Sequence, residues 1–461
     1  MTCDIKDIFL YSGSYYDKVV SVNGWIKTIR KGKKVSFIKL SDGSSVSQLQ
    51  IILNDPIKFS ELINTGKTGM SISVNGTLVK SLGKEQNIEL IAKDIIIIGG
   101  IEDSGTYPIA KTDLSLDFLR TIPHLKIRTD TVSSIMRIKS ALKYGMSEFF
   151  NNNDFFEVQI PLITDNECES GACPFSVITL EENPNEFFKK KTFLTVSGQL
   201  HLETLVCGGL SKAWCMTTAF RAEKSTGIKH LAEFWMAELE FCFGNLDDLI
   251  KVNEDVTKYS LNYVLSKCRA DMEFLESKTK SCIIEKIQKY IDEPFIITTH
   301  RECVETMLDD IEKKKLKFEK IPSYDDDFTK EHEAYITEKI YNDRPVFVKY
   351  YPSKVKAFYM PIIKCDDGID RADCFDLLLP EIGEVIGGSQ REHDYGKLMA
   401  KIEEIGIKPE TMSFYTDLRK YGTIPHGGSG IGFDRLMMVC TGIYNIRDMI
   451  PFPRAFEHCI N

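Results

Sequence analysis

The stretch Thr217–Glu240, TTAFRAEKSTGIKHLAEFWMAELE, reads as strand, loop, strand. Apolar and β-branched residues run into Phe220-Arg221-Ala222-Glu223, a polar turn with Gly227 follows, and the chain returns through Leu231 to Glu240. Alternation along a strand puts Arg221 and Glu223 on one face, with Phe234 on the return strand. Such a hairpin can hold a nucleotide: the guanidinium takes a phosphate through two parallel bonds, the carboxylate accepts a base amino proton and the ring stacks on the base. Taken alone, the same pair also fits a cross-strand ion pair on a solvated face, so the rest of the chain has to decide.

A chain of 461 residues has room for two or three domains, and 43% hydrophobic with 27% charged residues is ordinary for a soluble globular protein. Met1–Leu10 carries two acids and no basic leader region, and no apolar run reaches the roughly 18 to 20 residues that span a bilayer, so neither a signal peptide nor a membrane span is expected. The net charge of −9 argues against a generally basic nucleic-acid binder and leaves room for a local basic patch. None of the 13 cysteines falls at C-x-x-C spacing, and Cys168 and Cys173 have no second pair nearby, which points to reduced thiols in a cytoplasmic protein.

Outward from the hairpin, residues 1–100 carry five short Val/Ile-rich runs, Val19–Ile26, Val35–Leu40, Gln48–Leu53, Ser71–Val79 and Ile88–Ile98, which suit a small closed barrel of the OB type. Between Gly24 and Lys39 lie Lys27, Arg30, Lys31, Lys33, Lys34 and Lys39 with no acid, interleaved with Trp25 and Phe37, a composition suited to single-stranded nucleic acid. Trp25 is expected in the barrel core, while Phe37 fits the core and the binding face equally. Residues 101–125 read as a linker, Thr131–Asn151 as a helix, and FFEVQIPLIT (155–164) as a strand that Pro161 confines to an edge or interface. Residues 243–345 read as a helical insertion whose charged segment, Asp309–Asp327, is a solvated face without chemistry. Strands are expected at Val346–Lys349, Ala357–Met360, Cys374–Leu379 and Glu384–Gly388, then a helix near Asp394–Ile405. Near the end, HGGSGIGFDRLMMVCTG (426–442) is a Gly-rich strand entering a helix, where Gly430 and Gly432 let a ligand approach the backbone and Arg435 can reach a terminal phosphate.

In this order, FFEVQIPLIT, the hairpin and GIGFDRLMM resemble motifs 1, 2 and 3 of the class II aminoacyl-tRNA synthetases, and the resemblance covers essentially the whole chain. The barrel ahead of them is similar to the aspartyl, asparaginyl and lysyl subgroup. FLTVSGQL (193–200), HLAEFWM (230–236), VKYYPSKVKAFYM (348–360), IGEVIGGSQRE (382–392) and NIRDMIPFPR (445–454) resemble its asparaginyl members. The resemblance implies an α+β protein: an OB-fold anticodon-binding domain at 1–100, a hinge at 101–125, and at 126–461 a catalytic domain whose antiparallel six-stranded sheet is flanked by helices. It implies a ligase that activates L-asparagine with ATP and charges tRNA(Asn), working as a homodimer with Pro161 near the interface.

The same resemblance implies roles. Arg221 would hold the ATP α-phosphate, Glu223 the adenine amino group, Phe234 the adenine face and Arg435 the γ-phosphate, with His230, Leu231, Glu384, Gly430 and Gly432 completing the nucleotide site. Asp376 and Glu384 would position Mg²⁺, a hard cation that prefers oxygen. Ser197, Gln199, Glu238 and Arg391 would surround the amino acid, and Glu169 would close over its ammonium group. On the barrel, Arg30, Phe37 and Gln50 would read the anticodon, with Gln48 as the alternative to Gln50. Four features depart from the family pattern: Lys229 stands for Arg, Ser429 for Phe and Asp434 for Glu, and the loop at Glu169 is reordered. Asparagine is expected over aspartate because the lysine that follows the substrate glutamine in aspartyl enzymes is missing, the residues here being Leu200, His201 and Leu202, and strand alternation turns His201 away from Gln199. An aspartyl enzyme, an asparagine-forming relative and a tRNA-binding protein without catalysis are the competing readings.

Overall fold

A computed structural model describes residues 2–83, 86–109, 114–165, 173–180 and 187–460. The chain divides into two compact units, one of Met1–Ile138, Cys268–Lys280 and Ile460–Asn461, the other of Lys139–Lys267 and Ser281–Cys459.

In the first unit, β1 (Val19–Arg30), β2 (Ser36–Ser41), β3 (Leu49–Leu53), β4 (Ser71–Lys80) and β5 (Ile88–Gly99) close into a barrel in the order β1-β2-β3-β5-β4. Period-two alternation turns Val20, Val22, Ile26, Ile38, Leu40, Ile51 and Ile72 into its core. The same alternation corrects the expectation for Trp25, which is 45% exposed. With Val22 and Ile26 inward, the odd-numbered side chain between them faces out.

In the second unit, β6 (Phe156–Glu157), β7 (Lys212–Phe220), β8 (Glu233–Cys242), β9 (Ile296–Thr299), β10 (Val346–Lys349), β11 (Cys374–Leu379), β12 (Gly383–Gln390) and β13 (His426–Gly432) form the main path of a ten-stranded sheet ordered β9-β10-β11-β12-β13-β8-β7-β6. The six strands from β10 to β7 pair antiparallel throughout, as the resemblance implied, and β6 and β9 add a parallel edge at either end. Helices cover the sheet. In α1 (Asp130–Asn152), Phe150 stacks on Trp214 of β7 with ring centroids 4.7 Å apart. α2 (Gln199–Leu205), α3 (Leu246–Lys267), α4 (Lys330–Tyr335), α5 (Ser413–Lys420) and α6 (Phe433–Thr441) complete the elements that bear on the site.

Two expected strands have other conformations. Ala357–Met360 is a turn closed by Met360 N–H on the Ala357 carbonyl at 3.2 Å, because Phe358 and Tyr359 both bury in one apolar cluster, which an alternating strand would not allow. Gln199 and His201 lie on α2, not on a strand. His201 still points away from Gln199, since two residues along a helix are about 200° apart, and it stacks against Phe414 of α5.

Candidate active site

The hairpin forms as β7 and β8, with Ala219 opposite Phe234 and Phe220 opposite Glu233. Arg221 and Glu223 lie just beyond the strand, not on it. After Arg221 N–H bonds the Ala232 carbonyl, the edge of β8 is taken by another segment: Ala232 N–H donates to the Arg454 carbonyl and Glu233 pairs with Arg454. Freed from the ladder, Arg221 turns its guanidinium over the Phe234 ring, 5.4 Å from the centroid, a cation–π contact that fixes both groups at the mouth of a cleft.

That cleft has three connected lobes. The first, about 280 Å³, is lined by every residue the sequence assigned to ATP: Arg221, Glu223, His230, Leu231, Phe234, Glu384, Gly430, Gly432 and Arg435. At Gly430, in the wall shared with the second lobe, a Cβ would lie 2.6 Å from Met236 Cε, so the glycine leaves that side chain its place. Arg435, in the first turn of α6, donates from Nη1 to the Glu384 carbonyl at 2.6 Å, with the Glu384 carboxylate 3.6 Å away, so both are held at one end of the lobe.

The second lobe, about 200 Å³, shares Arg221, Met236, Glu384 and Gly430 with the first and gathers Ser197, Gln199, Glu238 and Arg391. Glu238 accepts the Ser197 hydroxyl at 2.5 Å and the Gly198 N–H at 3.0 Å. Arg391 is buried, donating from Nε and Nη2 to Glu240 at 3.1 and 3.0 Å and from Nη1 to Ser389 at 2.7 Å. Glu169 lies outside the described residues.

The third lobe, about 290 Å³, joins Lys229, His230, Glu384 and Arg435 to Asp327, Phe328, Lys330, Glu333, Lys356 and Asp376. The charged insertion is therefore not merely a solvated face. Asp327 ends it in the cleft, and Lys330 and Glu333 of α4 follow. Asp376 and Glu384 stand on neighbouring strands with oxygens 3.5 and 3.3 Å from the point where Gly387 would carry a Cβ, so both carboxylates border the space that this glycine leaves. Burial raises the Asp376 pKa to about 6 against the pull of Lys356, whose ammonium is 2.7 Å away, and the Glu384 charge adds to the rise. Burial and Glu384 likewise raise Glu333 to about 7. Lys356 and Glu333 escaped the sequence reading. Lys356 lies inside a string read as a family match, and Glu333 inside the stretch read as a helical insertion, beyond its charged segment.

Three of the four departures from the family pattern are bonded, and the fourth, the loop at Glu169, lies outside the described residues. Lys229 donates to the Glu381 and Ile382 carbonyls, each at 2.8 Å, Ser429 to Asn253 at 2.9 Å, and Asp434 pairs with Lys139 at 2.5 Å while accepting Trp235 N–H at 3.0 Å. On the barrel, register puts Arg30 opposite Phe37 and Lys39 opposite Gln50, so Arg30, Phe37 and Gln50 share one outer face. Phe37 is half-buried, and Gln50 donates to Glu89 at 2.7 Å. Gln48 is bonded instead to Asp130, at 2.8 Å.

Over residues 115–455 the chain matches the family described as tRNA synthetases class II (D, K and N), and over residues 20–98 the OB-fold nucleic acid binding domain. It belongs to this class of synthetases. Within the class it belongs with the asparagine–tRNA ligases: it is 40% identical to those of Borrelia garinii and Borreliella burgdorferi, over 99% of each chain, and 40% identical to that of Aliivibrio fischeri, over 95%. Its structure is similar to that of asparaginyl-tRNA synthetase from Pyrococcus horikoshii complexed with asparaginyl-adenylate, with a TM-score of 0.86 and 28% identity over 100% of both chains. The Entamoeba histolytica enzyme in complex with asparaginyl-adenylate gives a TM-score of 0.83 at 27% identity, over 100% of this chain and 99% of that one.

Proposed function

We infer that the chain is an asparagine–tRNA ligase. The carboxylate of L-asparagine attacks the α-phosphorus of ATP and releases pyrophosphate. The terminal ribose hydroxyl of tRNA(Asn) then takes the asparaginyl group from the adenylate and releases AMP. The observation that carries this reading is the continuity of the cleft, in which Arg221, with Phe234 beneath it, lines both the nucleotide lobe and the amino-acid lobe. A group at that junction can hold the α-phosphate while the carboxylate approaches it.

The substrate supplies its own nucleophile, so the work of the protein is positioning and charge neutralisation. Holding two reactants in line supplies about 7 to 11 kcal/mol of a barrier. Arg221 takes the α-phosphate, Glu223 and Phe234 orient the adenine, and Arg435 takes the γ-phosphate. The carboxylates of Asp376 and Glu384 suit Mg²⁺, which when bound offsets phosphate charge. Ser197, Gln199, Glu238 and Arg391 surround the amino acid, with Glu169 closing over its ammonium group.

Asparagine is favoured over aspartate by the same lobe. Leu202 lines it where aspartyl enzymes carry a lysine, and Glu238 beside it suits an amide donor and repels a second carboxylate. The barrel face of Arg30, Phe37 and Gln50 reads the anticodon. A homodimer through the edge at β6 and Pro161, and a place in the cytoplasm, complete the proposal. No described helix is long and apolar enough to cross a membrane, and every described cysteine is a free thiol. Amino-acid-dependent pyrophosphate exchange tests the reading: asparagine must support it, and exchange driven equally by aspartate refutes it.

A further inference from the structure

Beneath the amino-acid lobe lies an ion network to which the reaction assigns no part. Its hub is Glu203 on α2, four residues after Gln199 and fully buried. Its Oε1 accepts from Gln199 Nε2 at 2.8 Å. Its Oε2 accepts from Arg419 Nη2 and the Tyr415 hydroxyl, both at 2.8 Å, and lies 3.0 Å from His426 Nε2. Arg391 Nε stands 3.7 Å from Glu203 while the same guanidinium is clasped by Glu240. Gly428 makes room for that second carboxylate, because a Cβ there would fall 1.7 Å from Glu240 Oε2. Glu203, Glu240 and His426 bring ligand atoms within 4.8 Å of one another, the spacing of a metal site, but the cations present are the guanidinium groups of Arg391 and Arg419.

In this network Arg391 has two carboxylates against it, Glu240 and Glu203. His426 has an acceptor at each ring nitrogen, the Ile424 carbonyl 2.8 Å from Nδ1 and Glu203 at Nε2, which calls for the imidazolium even with Arg419 Nη2 at 3.2 Å. Burial opposes that charge, but the Cys207 thiol and Glu203 outweigh it and raise the pKa to about 10. Burial also opposes ionisation of Glu203, and Arg419, His426 and Arg391 overcome it, taking the carboxyl far below its usual range. Three buried cations, Arg391, Arg419 and His426, thus gather around the buried carboxylates Glu203 and Glu240, and Arg391 alone lies against both.

We propose that Glu203 is a specificity-determining residue: with Glu240 it sets a second carboxylate against Arg391, and it anchors Gln199, so the floor of the lobe accepts a neutral side-chain amide and disfavours a side-chain carboxylate. Arg391 looks by itself like a carboxylate receptor. With Glu240 and Glu203 already against it, the side-chain carboxylate of an aspartate would be a third anion around one guanidinium, and a buried charge without its own partner is rejected strongly. Glu203 does not line the lobe and acts through Arg391 and Gln199, so it is a positioning residue for side-chain selection.

This inference rests on the asparagine reading above, and its test separates the two. Pyrophosphate exchange is measured on the full chain with asparagine and with aspartate for wild type, Glu203→Gln and Glu203→Asp. The ratio of kcat/KM for aspartate to that for asparagine should rise at least tenfold in Glu203→Gln. In Glu203→Asp both rates should fall with the ratio unchanged, since the charge is kept. An unchanged ratio in folded Glu203→Gln overturns the proposal while leaving the asparagine reading intact, whereas wild type activating both amino acids equally removes that reading itself. If Glu203→Gln does not fold, His426→Gln decides: removing a cation from the same network must weaken aspartate inhibition of asparagine-driven exchange at least threefold, and equal or stronger inhibition overturns the proposal.

Discussion

Arg221 and Arg435 enter the nucleotide lobe from different elements, one released from the end of β7 and the other from the first turn of α6. Each charge-assisted bond they make to a phosphate contributes about 1.5 to 3 kcal/mol. Arg221→Ala or Arg435→Ala should therefore abolish adenylate formation while circular dichroism stays that of wild type. Near wild-type pyrophosphate exchange in either folded variant would show the site to be misassigned. In the same assay Asp376→Asn should raise the magnesium concentration needed for half-maximal rate, and an unchanged requirement would remove Asp376 from the metal site. These residues are reached in the sequence through the resemblance of the motifs that hold them, since type and spacing alone leave Arg221 with Glu223, and Arg435, open to reading as surface ions. Glu203 is not: it is one glutamate four residues after Gln199, and its meaning comes from Arg391, Arg419 and His426, which only the fold brings to it. Lys356 and Glu333 were hidden for the same reason, since neither faces the cleft until β11, β12 and α4 converge.

At the scale of elements, the outer face of β1, β2 and β3 presents Arg30, Phe37 and Gln50 together. Stacking of a base on an aromatic ring is worth about 1 to 3 kcal/mol. Phe37→Ala should thus weaken tRNA charging about tenfold or more and leave pyrophosphate exchange untouched. Loss of both activities would assign Phe37 to the barrel core instead. The five barrel strands were readable because turns such as Ser41-Asp42-Gly43 and Asn75-Gly76 interrupt Val/Ile alternation, and the observed strands begin within a residue of those read. Gln199–His201 and Ala357–Met360 were misread as strand for a shared reason: in short segments the local pattern is weak, and burial of both Phe358 and Tyr359, or of Gln199 with Glu203, is decided by tertiary packing.

At the scale of the whole molecule, the sheet ends at β6 in an edge carrying exposed Phe156, and the segment after it exposes Pro161, Leu162 and Ile163, the last opening a strand of a separate three-stranded sheet. An apolar edge strand of this kind invites pairing with a second copy. Light scattering should give twice the mass of the 52.5 kDa chain, and Phe156→Asp should yield a monomer with impaired exchange; a wild-type monomer of full activity would contradict the dimer. The central claim is that one continuous cleft joins ATP to asparagine and not to aspartate. Pockets that discriminate by polar pairing reach on the order of 10⁴-fold. The direct measurement is pyrophosphate exchange at matched concentrations of the two amino acids near neutral pH, where asparagine should drive exchange and aspartate almost none; aspartate activation equal to or above that of asparagine would contradict the account.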